Sequence, residues 1–282
     1  MGILQSLWMI MASASFAVMA AFIKLSALEG ASHGAIIFAR GLPSIFLILV
    51  WAIYQQKSFK TLYMKSHLHR SICGVLSMWC GFYAYAHLPL ETATSLNYST
   101  TLFITTWLVI TTVTARNPIQ CIAVLIGFSG VLFVLRPSVE DQQWFPILIG
   151  LMAGVMGTGA MLSVKNLGKV GEPVFRTVFY FSLSVTVSGL FGVIWADQYE
   201  QDIQTIGYLL GIGIFGLLGQ IGLTRSFSYG STVLTATLQY TTIIFSAVIA
   251  FFLWDHSLDW LSWLGMSLIV FSGALCAWGV AR

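Results

Sequence analysis

The sequence predicts an all-α membrane protein of ten transmembrane helices, arranged as two five-helix repeats inserted in opposite senses. Three observations predict this class: an apolar composition with few charges, a succession of apolar runs of bilayer length, and a sequence that partly repeats itself. Of the 282 residues, 57% are hydrophobic and 8% charged, against about 25% charged in a soluble domain. So few charges could not cover that much apolar surface in water. In lipid every backbone N–H and C=O must be satisfied within the protein, which leaves helices or a closed barrel. The runs are about 20 residues long and lack strand-like alternation, so helices are expected.

The runs fall near 3–24, 34–54, 71–88, 92–113, 119–136, 145–165, 174–195, 204–227, 232–253 and 261–280. The first has no basic stretch before it and many runs after it, which predicts a retained helix rather than a cleaved leader. The second holds Arg40 about seven residues in, or about 10 Å along a helix axis. A charge at that depth either snorkels to the outer interface or faces a wet cavity, where it would gate the path or bind an anionic group. The longest polar interruption, Gln55 to Arg70, follows, and its His67 and His69 are expected in solvent. In the third run Trp79 sits too deep for an interface anchor, and with Tyr83 it offers an aromatic wall. The fourth carries Thr94, Asn97, Tyr98, Thr101 and Thr105 at spacings of three and four, on one helix face. The fifth has Ala123-x-x-x-Gly127, a small-residue spacing that favours packing.

The sixth run opens the second half, with Met152-Ala153 and Lys165 placed as Met11-Ala12 and Lys24 are in the first. Tyr180 on the seventh and Gln220 on the eighth extend the proposed wall. The eighth also holds Gly207, Gly211, Gly213, Gly216, Gly219 and Gly222, which allow close packing or a bend. Gly211-x-Gly213-x-x-Gly216 fits a dinucleotide signature but lies inside an apolar span, without the strand-to-helix turn that signature needs. The ninth answers the fourth with Thr235, Gln239, Tyr240, Thr242 and Ser246, and the tenth has Gly273-x-x-x-Ala277. Polar side chains at such positions either bond helix to helix or line a cavity.

The basic residues orient the bundle. With a cytoplasmic N-terminus, Lys57, Lys60, Lys65, Arg70, Arg116, Lys165, Lys169, Arg176, Arg225 and Arg282 lie inside, and Lys24, Arg40 and Arg136 lie outside or near the outer ends. Ten against three satisfies the positive-inside rule. Both termini are then cytoplasmic, and the expected location is a bacterial cytoplasmic membrane. Nine of the ten acidic residues fall outside and only Glu172 inside, in agreement.

The repeat is carried by three matches in order. Leu125-Ile126-Gly127-Phe128-Ser129-Gly130-Val131-Leu132 answers Leu268-Ile269-Val270-Phe271-Ser272-Gly273-Ala274-Leu275, Ala93–Tyr98 answers Thr235–Tyr240, and Lys24 answers Lys165. The halves divide as 1–140 and 141–282. Five being odd, the second half enters from the opposite side, the design of many secondary transporters, with cargo bound at the midplane between halves.

Gly127-Phe128-Ser129-Gly130-Val131-Leu132 running to Arg136-Pro137, its second-half equivalent, Arg40 and Asp255 together resemble the EamA family of the drug/metabolite transporter superfamily. The resemblance implies ten helices in two repeats and carriage of a metabolite. It departs where that family often has a mid-helix proline: here stand Tyr98-Ser99-Thr100 and Tyr240-Thr241-Thr242. Ala115-Arg116-Asn117-Pro118 replaces the acidic residue expected after the fourth helix.

The expected function is alternating-access transport of a small amino-acid-like or amine metabolite. Its cavity would lie among helices one to four and six to nine, lined by Arg40, Trp79, Tyr83, Asn97, Tyr98, Thr101, Tyr180, Gln220, Gln239 and Tyr240. Only Arg40 and Arg225 offer cationic charge near the midplane in this reading. A nucleoside, a cofactor or another metabolite is the alternative cargo. A lipid-acting enzyme would need paired carboxylates, histidines or a metal set; His33, His67, His69, His87 and His256 form no spaced cluster, and the cysteines Cys73, Cys80, Cys121 and Cys276 form no CxxC pair. A passive channel is the other rival. No catalytic residue, metal or cofactor is expected. Expected partners are the cargo, membrane lipid, a coupling proton or ion, and a second copy through the fifth and tenth helices. Nucleic acid is not expected.

Overall fold

The computed structural model describes residues 5–111, 118–135, 144–196, 202–254 and 259–281, and every regular element among them is an α-helix. In the first half these are α1 (Trp8–Leu28), α2 (His33–Tyr54), α3 (Met64–His87), α4 (Leu90–Thr111) and α5 (Pro118–Leu135). In the second they are α6 (Trp144–Lys169), α7 (Val174–Ala196), α8 (Ile203–Tyr229), α9 (Thr232–Leu238), α10 (Thr241–Trp254) and α11 (Trp260–Ala281). Among the described residues, six segments are long and apolar enough to cross a membrane: α1, α2, α6, Val174–Trp195, α8 and Leu234–Trp254. This is a multi-pass membrane protein. Exposed Phe46, Ile53, Phe191, Trp195, Ile203 and Phe252 fit a bundle whose outer surface meets hydrocarbon.

Two boundaries differ from the sequence reading. The third helix starts at Met64, seven residues before the apolar run, so residues assigned to a loop become its first two turns. His67 is thereby buried against Glu172 (Nε2 to Oε1, 3.1 Å) rather than solvated, while His69 remains exposed and bonds Ser163. The ninth run is interrupted at Gln239-Tyr240. Around the break the backbone closes with three-residue bonds, Thr242 N–H to Gln239 and Ile243 N–H to Tyr240. Carbonyls left free at such a break must find partners inside the bundle. Thr101 Oγ1 donates to Ala236 (2.9 Å), Ser13 Oγ to Leu238 (3.3 Å) and Thr241 Oγ1 to Leu238 (2.6 Å). The connections around Arg116, Arg136, Glu140, Asp141, Asp197, Glu200, Asp255 and His256, and the terminal Arg282, lie outside the described residues.

The principal packing partners are α1 with α8, α3 with α6, α2 with α7 and α5 with α11. Glycines permit the close approaches: a Cβ at Gly213 would overlap Pro43, and one at Gly34 would overlap the backbone at Gly192. Thus the glycines of the dinucleotide-like signature serve packing, as the sequence context implies. On the outer pair, Ser272 Oγ donates to the Ala123 carbonyl (2.7 Å).

Two local details recur between the halves. After α1, Gly30 N–H bonds Ala27 and Ala31 N–H bonds Ser26, with Gly30 at φ +81; after α6, Gly171 N–H bonds Gly168 and Glu172 N–H bonds Leu167, with Gly171 at φ +76. Both ends are Schellman caps, where the left-handed conformation favours glycine. Lys24 Nζ, on α1, donates to the Leu88 carbonyl beyond α3 (2.8 Å), and Lys165 Nζ, on α6, donates to the Gly230 carbonyl beyond α8 (2.9 Å).

Candidate functional site

A cavity of about 140 Å³ lies between the two halves. Its walls come from α1 (Phe16, Met19), α2 (Arg40), α3 (Arg70, Ser77, Gly81, Tyr85), α4 (Asn97, Thr100), α6 (Gly157, Met161), α7 (Phe181), α8 (Gln220, Leu223) and Gln239 at the α9–α10 break. These are the helices that the sequence assigns to a central path, and no described residue of α5 or α11 is among its walls. Two larger crevices, of about 690 and 600 Å³, are lined by exposed residues such as Trp107 and Val155, or Trp51 and Tyr229. Their walls lack the convergence of buried polar groups that marks a site for a polar metabolite.

Arg40 is 1% exposed on α2, its Nη2 donating to Gln220 Oε1 (3.3 Å) and its Nη1 to Ser44 (3.4 Å). Gln220 Nε2 donates in turn to Thr224 (3.1 Å), which fixes the amide with its oxygen toward the arginine. Asn97 Nδ2 donates to the carbonyls of Ala93 (3.2 Å) and Gly81 (3.4 Å). Gln239 Oε1 accepts from Thr101 (3.4 Å), and Thr94 bonds Ser246 (3.2 Å). The polar stripes of α4 and the ninth run therefore do both things open to them. Thr94, Thr101, Thr235 and Ser246 bond helix to helix, while Asn97 and Gln239 also reach the cavity.

Of the ten residues singled out from sequence, Arg40, Asn97, Gln220 and Gln239 line this cavity; Thr101 and Tyr240 are buried beside the break. The side chain of Tyr98 lies outside the described residues. Three aromatics stand elsewhere. Trp79 Nε1 donates to Ser188 (3.3 Å), its ring packs 5.1 Å from His33 and its carbonyl accepts from that histidine. Tyr83 stacks on His87 at 4.0 Å. Tyr180 donates to the Phe59 carbonyl (2.8 Å) and lies against His67, tying α7 to the α2–α3 connection.

Arg70 is the residue the sequence reading missed. It is 1% exposed, lies 3.9 Å over the Phe181 ring and lines the same cavity as Arg40, whose charge is within its electrostatic reach. The signal available was Gly74, four residues on and one helical turn away, which leaves room for the guanidinium. Arg225 is instead exposed, over Trp8 at 4.6 Å and bonded to Gln5.

Residues 144–278 match the EamA-like transporter family. The pseudopaline exporter CntI of Pseudomonas aeruginosa is 29% identical over 93% of this chain and 91% of its own length. An uncharacterized transporter of Helicobacter pylori is 26% identical over 95% and 92%. An S-adenosylmethionine uptake transporter of Rickettsia conorii is 26% identical over 77% and 72%. A solved crystal structure shares the fold at a TM-score of 0.76 over 99% of this chain and 98% of its own, with 13% identity.

Proposed function

We propose that this chain, whose residues 144–278 match the EamA-like transporter family, is a secondary transporter carrying a small organic metabolite across a bacterial cytoplasmic membrane by alternating access. The observation that carries the proposal is the central cavity, polar at its walls and built from both halves of the chain. Relatives named for pseudopaline export and S-adenosylmethionine uptake support a metabolite as cargo. They also favour a carrier over a lipid-acting enzyme.

The ten-span inverted repeat belongs to this proposal. Exchanging each helix of the first half for its second-half counterpart maps the α1–α8 pairing onto α6–α3 and leaves α2–α7 and α5–α11 unchanged. The paired Schellman caps and the paired Lys24 and Lys165 contacts follow the same exchange. Rocking of one half against the other around a fixed site is the motion such symmetry permits. Of the cargo classes expected from sequence, an amino-acid-like molecule suits the two arginines better than a bare amine. Both termini are taken as cytoplasmic on the distribution of basic residues.

The test is a thermal-shift screen of amino acids, amines and nucleosides on purified protein, followed by counterflow of the stabilising compounds in proteoliposomes. Saturable counterflow is expected. Flux that rises linearly with concentration without exchange would identify a channel instead.

A further inference from the structure

We propose that Arg40 and Arg70 form a subsite for a carboxylate group of the cargo, which makes the transported class carboxylate-bearing metabolites. The inference rests on the transporter reading and names the chemistry of its cargo.

The first support is an unbalanced charge. Two guanidiniums, each 1% exposed, line one cavity, and among the described residues of its wall there is no Asp or Glu. An arginine stays protonated even when buried. Taking a charge out of water without a partner is costly, so buried charges are retained where something of opposite sign offsets them. Here the described residues of the wall supply no acid. Glu172, the described acidic residue that contacts α3, is engaged by His67 (3.1 Å) and Arg176 (3.6 Å).

The second support is free donor capacity. Arg40 spends Nη1 and Nη2 on Ser44 and Gln220, and its Nε has no protein partner. On Arg70, Nε and Nη1 are both buried without one. Carboxylate oxygens only accept hydrogen bonds, and charge-assisted bonds to guanidinium are among the strongest available. A bare ammonium would meet like charge in the same space.

The third support is that both side chains are seated. A Cβ at Gly216 would overlap Arg40, one at Gly74 would overlap Arg70, and Phe181 backs the second guanidinium. Side chains held this way present their charge at a set place. Neutral polar groups, Asn97 and Gln239, line the rest of the wall and can meet an uncharged or zwitterionic remainder.

The experiment measures thermal unfolding of the purified full-length protein with sodium acetate and sodium succinate, against acetamide, succinamide and sodium chloride at matched ionic strength. The acids should raise the unfolding temperature above the chloride baseline, and the amides should not. Arg70→Met and Arg40→Met should weaken acid binding roughly tenfold to a hundredfold, while Arg225→Gln, outside the cavity, keeps it. Without added acid, Arg70→Met should unfold at the same temperature or higher, because it removes an uncompensated charge. Equal stabilisation by chloride would make the ligand an inorganic anion and overturn the assignment. So would equal stabilisation by acetamide, no response to the acids, or a lower unfolding temperature for acid-free Arg70→Met, which would mark a structural arginine. Counterflow separates this inference from the one beneath it. Saturable exchange indifferent to both arginine substitutions sinks the carboxylate subsite alone; acid binding without any exchange sinks the transporter reading alone.

Discussion

At the scale of single residues, side-chain direction decides what a polar or aromatic group does. Gln239 and Asn97 reach the cavity, so replacing either by alanine removes a hydrogen-bonding group from the wall. The expected loss is about 1–3 kcal/mol, or about a 5- to 150-fold weaker affinity, at normal folded yield; titration of the stabilising metabolite by thermal shift checks it. Trp79→Ala should act differently. Its indole packs on His33 and Ser188, outside the cavity wall, so the melting temperature in detergent should fall by several degrees while affinity holds. The sequence made four cavity residues legible because Arg40, Asn97, Gln220 and Gln239 are polar groups deep in apolar runs, where burial is costly and therefore meaningful. Depth in a run does not reveal which side of the helix a ring faces, and Trp79, Tyr83 and Tyr180 show the difference. Arg70 was hidden for another reason. It follows Lys65-Ser66-His67-Leu68-His69, whose polarity reads as a loop, and only the early start of α3 carries it inward.

At the scale of elements, the break between α9 and α10 and the tether at the α2–α3 connection make separate demands. Thr101 Oγ1 donates to the carbonyl of Ala236, in the last turn before the break. Thr101→Val keeps the shape and removes the donor. It should cost about 1–3 kcal/mol of stability, the penalty for losing a buried hydrogen-bond donor, read as a lower unfolding temperature beside Thr111→Val, an exposed position on the same helix. The break replaces the mid-helix proline common in the family; threonine and serine side chains supply the compensating bonds. Tyr180 tests the tether. Its hydroxyl and Arg176 Nε bind the carbonyls of Phe59 and Ser58, both at 2.8 Å. Tyr180→Phe should speed proteolysis of the 55–63 connection and leave affinity unchanged. A change in affinity at unchanged proteolysis would return Tyr180 to the cargo path.

At the scale of the whole molecule, the proposed inverted repeat predicts that equivalent turns face opposite sides of the membrane. Glu29 and Val170 supply the pair. Each stands immediately before the positive-φ glycine of a matching Schellman cap, at Gly30 and Gly171, and each is exposed. The caps are alike in every bond, so the two turns offer a cysteine nearly the same local surroundings. Any difference in labelling then reports the compartment rather than the chemistry of the turn. The basic residues assign the first turn to the outside and the second to the cytoplasm, where Lys165, Lys169 and Arg176 surround it. In a background with Cys73, Cys80, Cys121 and Cys276 replaced by alanine, Glu29→Cys should react with a membrane-impermeant maleimide added to intact spheroplasts. Val170→Cys should react only in inverted vesicles. Purified protein in detergent should show both labelled at similar rates, which guards against a buried thiol. Labelling of both positions from one side would mean parallel halves, and a midplane site shared between inverted repeats would go with it.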